Sequence, residues 1–196
     1  MKVKGKTAVV TGASSGIGRG TAVALARHGC NVALVARNKE ELENTKKQCE
    51  AYGVKATVHV TDLTDRAQID SLPERVLAEH EAVDLLYNIA GICASGKLFE
   101  VSDEAFDRVM NLDFMAVAYC MRRFLPHLMT RPEAHIVNCA SIQAMLSFVG
   151  DAAYSASKAA VRALSDAARF ELADDTNVMV SYVIMGGVNS NLVLNS

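Results

Sequence analysis

Tyr154 and Lys158 stand four residues apart in the segment YSASK, with Ser141 thirteen residues before Tyr154. At helical spacing, residues i and i+4 share a face, so both side chains can reach one pocket. A free phenol has a pKa of about 10 and is a slow acid at neutral pH until a nearby cation favours its phenolate. Lys158 supplies such a cation, which makes the pair a candidate for moving a proton to or from an oxygen. Tyr and Lys at this spacing also occur on ordinary helix surfaces. Its meaning therefore depends on the rest of the chain.

A second cluster is TGASSGIG, where Gly12, Gly16 and Gly18 punctuate a turn that also holds Ser14, Ser15 and Ile17. Glycine allows tight turning, close approach of a phosphate and close helix-to-strand packing, and the helix that follows offers free amides to an anion. A glycine-rich turn with no ligand has the same look, but a position directly after the strand-like TAVVT favours a dinucleotide. Domains that prefer NAD place an acid about 20 residues on, against the ribose 2′-hydroxyl. Here that place reads Ala36-Arg37. A guanidinium fork suits a 2′-phosphate and no carboxylate repels it, so the expected cofactor is NADP, with NAD as the alternative and Ser14 adding a hydroxyl. Stacking of Arg37 on adenine, or its facing solvent, is the competing reading.

Asp62, followed by Leu63, comes after the third strand in VTDLTD and is placed to accept a hydrogen bond from an adenine amino group; Asp in such a loop is as often a helix cap. Asn88, Ala90 and Gly91 end the fourth strand at the carboxyl edge, where ligands of open parallel sheets bind.

The elements that must hold these residues alternate along the chain. TAVVT, a helix over Ile17 to His28, NVALVA, a helix over Lys39 to Tyr52, and VKATVHV read as βαβαβ. A helix interrupted near Pro73 follows, then strand VDLLYNI, a long helix from about Ser102 to Thr130, strand AHIVNCA, a helix from about Asp151 to Ala173, and strand NVMVSYVIM. Several strands are apolar on both faces, as helices on both sides of a parallel sheet require. The predicted fold is α/β, a doubly wound parallel sheet of about six strands in one domain over residues 1–196. Gly29 and Gly53 fall just after helices, and Ser102 is placed to cap the long one.

With a net charge of −2 and mixed signs throughout, the chain has no basic stripe for nucleic acid and no polybasic patch for lipid. The apolar run behind the basic MKVKGK is too short for a signal peptide, and no stretch approaches the roughly 18 apolar residues of a membrane span. Cys30, Cys49, Cys93, Cys120 and Cys139 show neither zinc spacing nor a partnered base, and read as reduced, mostly buried thiols of a cytoplasmic protein with no metal site.

Taken together, TGASSGIG, the Asn-Ile-Ala-Gly end of the fourth strand, Ser141 and YSASK resemble the short-chain dehydrogenase/reductase family, in its branch with TGxxxGxG and YxxxK, over residues 5 to about 192. The resemblance implies a hydride passing between nicotinamide and a carbinol or carbonyl carbon, with Tyr154 giving or taking the proton on oxygen and Ser141 stabilising that oxygen. It further implies that Lys158 holds the nicotinamide ribose, that Asn111 holds a water relaying protons to Lys158, and that Gly186, Val188 and Ser190 meet the carboxamide. It implies a homodimer or homotetramer built through the long helix and the alanine-rich one, in which Ala152, Ala156, Ala159, Ala160 and Ala163 make a small-residue face.

Three departures stand out. The family's Asn-Asn-Ala-Gly reads Asn88-Ile89-Ala90-Gly91, and because successive strand residues face opposite sides, the displaced Asn88 carries its role less securely than Gly91. The usual Pro-Gly after the sixth strand reads Met185-Gly186, a less preorganised loop. Relatives commonly run to about 250 residues, with a substrate lid and a seventh strand, whereas this chain stops at Ser196; a truncated or partly represented protein is the expectation. Cys93, Ala94, Gln143, Ala144, Met145, Phe148 and Gly187 should face substrate, alongside Ser141 and Tyr154; being mostly apolar, they favour a hydrophobic alcohol or ketone. The rival is a cofactor-binding regulatory or interaction protein with little turnover, supported by Ile89, the lost Pro and the missing tail. Isomerase or dehydratase chemistry fits the loop spacing less well.

Overall fold

The computed structural model describes residues 1–187. Six strands form one all-parallel sheet: β1 (Thr7–Thr11), β2 (Asn31–Ala36), β3 (Ala56–Val60), β4 (Leu85–Asn88), β5 (Ala134–Ser141) and β6 (Val178–Met185), in the spatial order β3-β2-β1-β4-β5-β6. The helices between them are α1 (Gly16–Arg27), α2 (Lys39–Glu50), α3 (Arg66–Leu77), α4 (Asp103–Met110), α5 (Ala116–Leu128) and α6 (Ala152–Ala173).

The doubly apolar strands have a simple cause. Side chains alternate across a strand, so Ala8, Val10, Val32 and Leu34 join Leu25 of α1 and Leu42 of α2 in one core. Their neighbours Val9, Ala33 and Val35 enter a second core with Ile69, Leu72 and Val76 of α3, Phe124 of α5 and Val161 of α6. Over β6 only the second core is closed. Val178 and Val180 are buried in it, while Met179 and Val183, on the other face, are each 45% exposed.

The chain winds outward from β1 to β3, returns to β4, and winds outward again to β6. A crevice opens where the direction reverses, between the carboxyl ends of β1 and β4. Gly29 and Gly53, at φ +79° and +76°, close α1 and α2 in the left-handed conformation expected of them. Side chains cap three helices: Asn38 accepts the N–H of Glu41 at 3.1 Å, Asp65 that of Ala67 at 2.9 Å, and Ser102 that of Ala105 at 3.2 Å.

Two helices differ from the sequence reading. Pro73 does not interrupt α3, which runs through it; the missing N–H removes one main-chain bond, and the buried stripe Ile69, Leu72, Val76 holds the helix to the sheet regardless. The long helix is not regular either. Between α4 and α5 the residues Asn111–Met115 form a π-helical turn, with the N–H of Ala116 reaching back five residues to the carbonyl of Asn111. Such a turn inserts a residue and rotates the helix phase beyond it, and it recurs at functional sites.

Candidate active site

At the crevice the ends of β1 and β4 are stitched by one side chain. Thr11 Oγ1 accepts the N–H groups of Ile89 at 2.9 Å and Ala90 at 3.1 Å, and donates to the carbonyl of Tyr87 at 3.3 Å. The approach is so close that a Cβ on Gly12 (φ +68°) would lie 2.9 Å from Ala90 Cα, and one on Gly18 would lie 2.1 Å from the Gly12 carbonyl oxygen. Both positions admit glycine alone.

The N-terminus of α1 is unlike those of α2, α3 and α4. Ser15 at its cap makes no side-chain hydrogen bond and its first turn holds no acid, so its amides and the positive end of its dipole are left for an anion. Gly12, Ser14, Ser15, Gly16, Ile17 and Gly18 line one end of a cleft of about 1170 Å³, with Arg37, Asp62, Leu63, Ala90, Gly91 and Asn111 further along it. A volume at the upper end of small-molecule sites, glycine-only contacts and an open helix terminus fit a dinucleotide with its pyrophosphate on α1.

Sequence reasoning missed the props behind this loop. Arg19 pairs with Glu41, bonds the carbonyl of Ser14, and donates from Nε to Thr45 Oγ1 at 3.0 Å. Thr45 in turn donates to the carbonyl of Ala13 at 2.9 Å. A buried Thr on an otherwise polar helix is the signal that marks it. Arg37 is exposed at the end of β2 and enters no ion pair among the described residues. Asp62 is not the cap of α3, a role that falls to Asp65; its Oδ1 accepts the N–H of Thr64 at 2.9 Å and the Thr64 hydroxyl at 2.7 Å.

One expected placement is corrected. Asn88 lies on the far face of β4, where Nδ2 donates to Asn138 Oδ1 at 2.8 Å and Asn138 donates to Ser165 at 2.9 Å. Strand parity turns Asn88 toward the buried second core, and Ile89 takes the cleft wall instead. Asn111 is exposed in the cleft. The acid in direct contact with Lys158 is Asp113. Its Oδ2 stands 3.0 Å from Lys158 Nζ, with side-chain exposures of 0% and 4%, and its Oδ1 accepts the N–H of Ile92 at 2.8 Å.

Beyond the cleft, at the end of β5, Ser141 and Tyr154 are buried and Lys158 follows one turn later on α6. Lys158 Nζ lies 5.4 Å from the centre of the Tyr154 ring and donates to the Cys139 carbonyl at 3.3 Å. Burial pushes the Tyr154 phenol above its ordinary pKa; Lys158 and a hydrogen bond to Ser141 pull it down, and Asp113 and Cys139 push it up again. The net direction is upward, opposite to the cation-favoured phenolate that the sequence alone pointed to. Lys158 is held protonated: burial works against its charge, but Asp113 foremost, then Tyr154 and Cys139, raise its pKa.

On the substrate side, Gln143 has both ends of its amide engaged. Nε2 donates to Asp151 Oδ2 at 2.9 Å and Oε1 accepts from Ser155 at 2.7 Å, while Asp151 Oδ1 accepts from Ser95 at 2.9 Å. Gln143 therefore ties the loop after β5 to α6, with one of its two N–H donors and one carbonyl lone pair engaged. Cys93, Ala94 and Ala144 are buried, as Ser141 and Tyr154 are, the first two packed against Val109, Ala153 and Tyr154. Met145, Leu146, Phe148 and Val149 are more than half exposed, as are Leu98 and Phe99 in a second loop, and the Gly96 N–H bonds the Gly150 carbonyl at 2.8 Å between the two. Gly186 and Gly187 are exposed, with open space around them. Val188 and Ser190 lie outside the described residues.

Residues 6–196 match the short chain dehydrogenase family. The chain is 39% identical over 165 residues to a fatty acyl-CoA reductase of Acinetobacter baylyi, covering 83% of this chain and 56% of that protein. The fold is similar to that of a short chain dehydrogenase/reductase from Burkholderia phymatum in complex with NAD, at a TM-score of 0.94 and 32% identity, over 98% of this chain and 69% of that one. It is likewise similar to an alcohol dehydrogenase from the archaeon Thermococcus sibiricus complexed with 5-hydroxy-NADP, at a TM-score of 0.90 and 28% identity, over 95% and 78% of the two chains. The chain spans about three fifths of the length of several curated relatives it matches. Among the described residues no helix is long and apolar enough to cross a membrane.

Proposed function

The chain belongs to the short chain dehydrogenase family, and we propose that it is an NADP(H)-preferring oxidoreductase acting on a hydrophobic alcohol or ketone, with Tyr154 as its acid and base. The observation that carries this reading is the buried set Ser141, Tyr154 and Lys158 at the end of β5, on the same sheet edge as the uncapped N-terminus of α1. Nicotinamide bound along that edge would supply or accept the hydride. Tyr154, a phenol at neutral pH, gives its proton to a carbonyl oxygen that Ser141 also holds. Lys158 stabilises the phenolate left behind.

The preference for NADP(H) rests on Arg37, which is exposed at the ribose end of the cleft with no acid at the position where an NAD-type site keeps one. The apolar substrate class rests on the two exposed apolar loops around Gly96 and Gly150, and the fatty acyl-CoA reductase relative is named for an acyl substrate. Self-association is part of the same reading: Ala152, Ala156 and Ala163 are exposed along α6 with Phe170, 77% exposed, at the end of the stripe. Light scattering of the purified chain tests it.

The decisive experiment is Tyr154→Phe, which removes the proton and keeps the ring. With NADPH and hydrophobic ketones, nicotinamide oxidation should fall by about 10²–10⁴-fold while NADPH binding stays. Undiminished turnover would overturn the mechanism, and equal affinity for NADPH and NADH would overturn the role given to Arg37.

A further inference from the structure

Lys158 does not face Tyr154 alone. The carboxylate of Asp113 is fixed from two sides, by the Ile92 N–H at 2.8 Å on Oδ1 and by the Lys158 ammonium at 3.0 Å from Oδ2. A Cβ on Gly91 would lie 3.0 Å from Oδ2, so the glycine at the end of the β4 segment leaves room for this group. The π-helical turn that carries Asp113 packs against α6. A charge this deeply buried persists only when paired, and a pair has no net charge. A phenol beside a lone ammonium is driven toward phenolate; beside an ion pair the pull of the ammonium is reduced but not abolished.

The other groups around the pair do not replace that charge. Cys139 on β5 and Cys93 after β4 are both pushed up by burial and stay thiols at neutral pH. Ser141 contributes a hydroxyl. Burial pushes the Asp113 carboxyl up, and the Lys158 ammonium and the Ile92 N–H pull it back down; with its proton held on Lys158, the pair supplies the two charges that face Tyr154.

We propose that Asp113 is a positioning residue for the catalytic pair, holding the Lys158 ammonium and compensating its charge so that Tyr154 rests as a phenol, ready to donate a proton to a carbonyl oxygen across the neutral range. This rests on the reading of Tyr154 as the proton donor.

The test is a tyrosinate absorbance titration of the protein without added cofactor, comparing wild type with Asp113→Asn, each corrected by the same protein carrying Tyr154→Phe. Loss of the compensating charge in an isosteric side chain should lower the Tyr154 midpoint by about one pH unit or more. The pH at which alcohol oxidation reaches its plateau should fall with it. An unchanged or raised midpoint would overturn the proposal, since a merely structural Asp113 would lower stability without moving the phenol.

If Asp113→Asn does not fold, the pair of variants Lys158→Met and Asp113→Asn/Lys158→Met reads the same quantity. Unpaired in the first, Asp113 is protonated at neutral pH but ionises below the alkaline range in which a phenol titrates, so it should hold the midpoint above that of the second, and equal midpoints would overturn the proposal. A shifted titration in a protein that turns over no ketone would count against the oxidoreductase reading and leave standing the charge compensation of Lys158 by Asp113.

Discussion

At the α1 end of the cleft the working groups are main-chain atoms: uncapped amides of the first helical turn, and glycines so close that Gly18 would drive a Cβ to 2.1 Å from the Gly12 oxygen. At the α6 end they are side chains, Asp113, Ser141, Tyr154 and Lys158, delivered by three elements and buried together. Backbone binding tolerates many neighbours but no added atom, so its weak point is shape. Side-chain chemistry tolerates small changes of shape but depends on charge and protonation, so its weak point is electrostatic.

Substitutions at the two ends should therefore separate. On the proposed mechanism Ser141→Ala removes a donor from the reacting oxygen and should cut turnover by about 10²–10³-fold with little change in cofactor affinity, measured by steady-state kinetics and cofactor titration. A parallel loss of affinity would mean that the two ends are not separable. Gly18→Ala should do the reverse, forcing the loop apart at about 1–3 kcal/mol of stability, read by urea denaturation, and weakening the dinucleotide, while Tyr154 titrates as before.

A graded effect is expected with pH. His59 and His80 share the Thr57 hydroxyl at 2.8 Å each, and burial first, with nearby Arg75 for one and Lys55 for the other, pushes both down to about 4 from an ordinary 6.5. The unfolded chain takes up protons first, so stability should fall as pH drops below about 6.5 and go on falling toward 4. Thermal unfolding along that range checks the sign. Hydrogen exchange should loosen β3, in the dinucleotide half, before β5.

The smallest contrast lies at the helix caps. Asn38→Ala removes a hydrogen bond to the Glu41 N–H and should lower stability by about 1 kcal/mol. Ser15→Ala, which removes none, should cost a few tenths at most in the absence of cofactor. An equal loss at both positions would mean that the α1 terminus is capped after all.

The strands were legible because alternation and two-sided apolarity are local properties, and the glycine loop because three glycines after a strand have a backbone reason. Thr45, Arg19 and Asp113 were not, since each acts on a residue many positions away. Asp113 did leave a trace. It stands on the stripe continued by Val117, Cys120 and Phe124, an acid on a helix face otherwise apolar and buried. That trace was masked by Asn111, two residues earlier, which has the side chain the resemblance calls for but lies exposed in the cleft. Asn88 shows the same lesson in a strand: its type suited the cofactor, and its parity sent it to Asn138.

By itself, then, the order of residues determined the alternation of strand and helix, the place of the glycines, and Tyr154 and Lys158 on one face of α6, because each depends on spacings within a few turns of chain. Which acid meets Lys158 was decided by the tertiary structure. The π-helical turn sets the phase at which Asp113 leaves the helix, and the packing of that turn against α6, with the Ile92 N–H on its other side, excludes the water that would otherwise screen the pair.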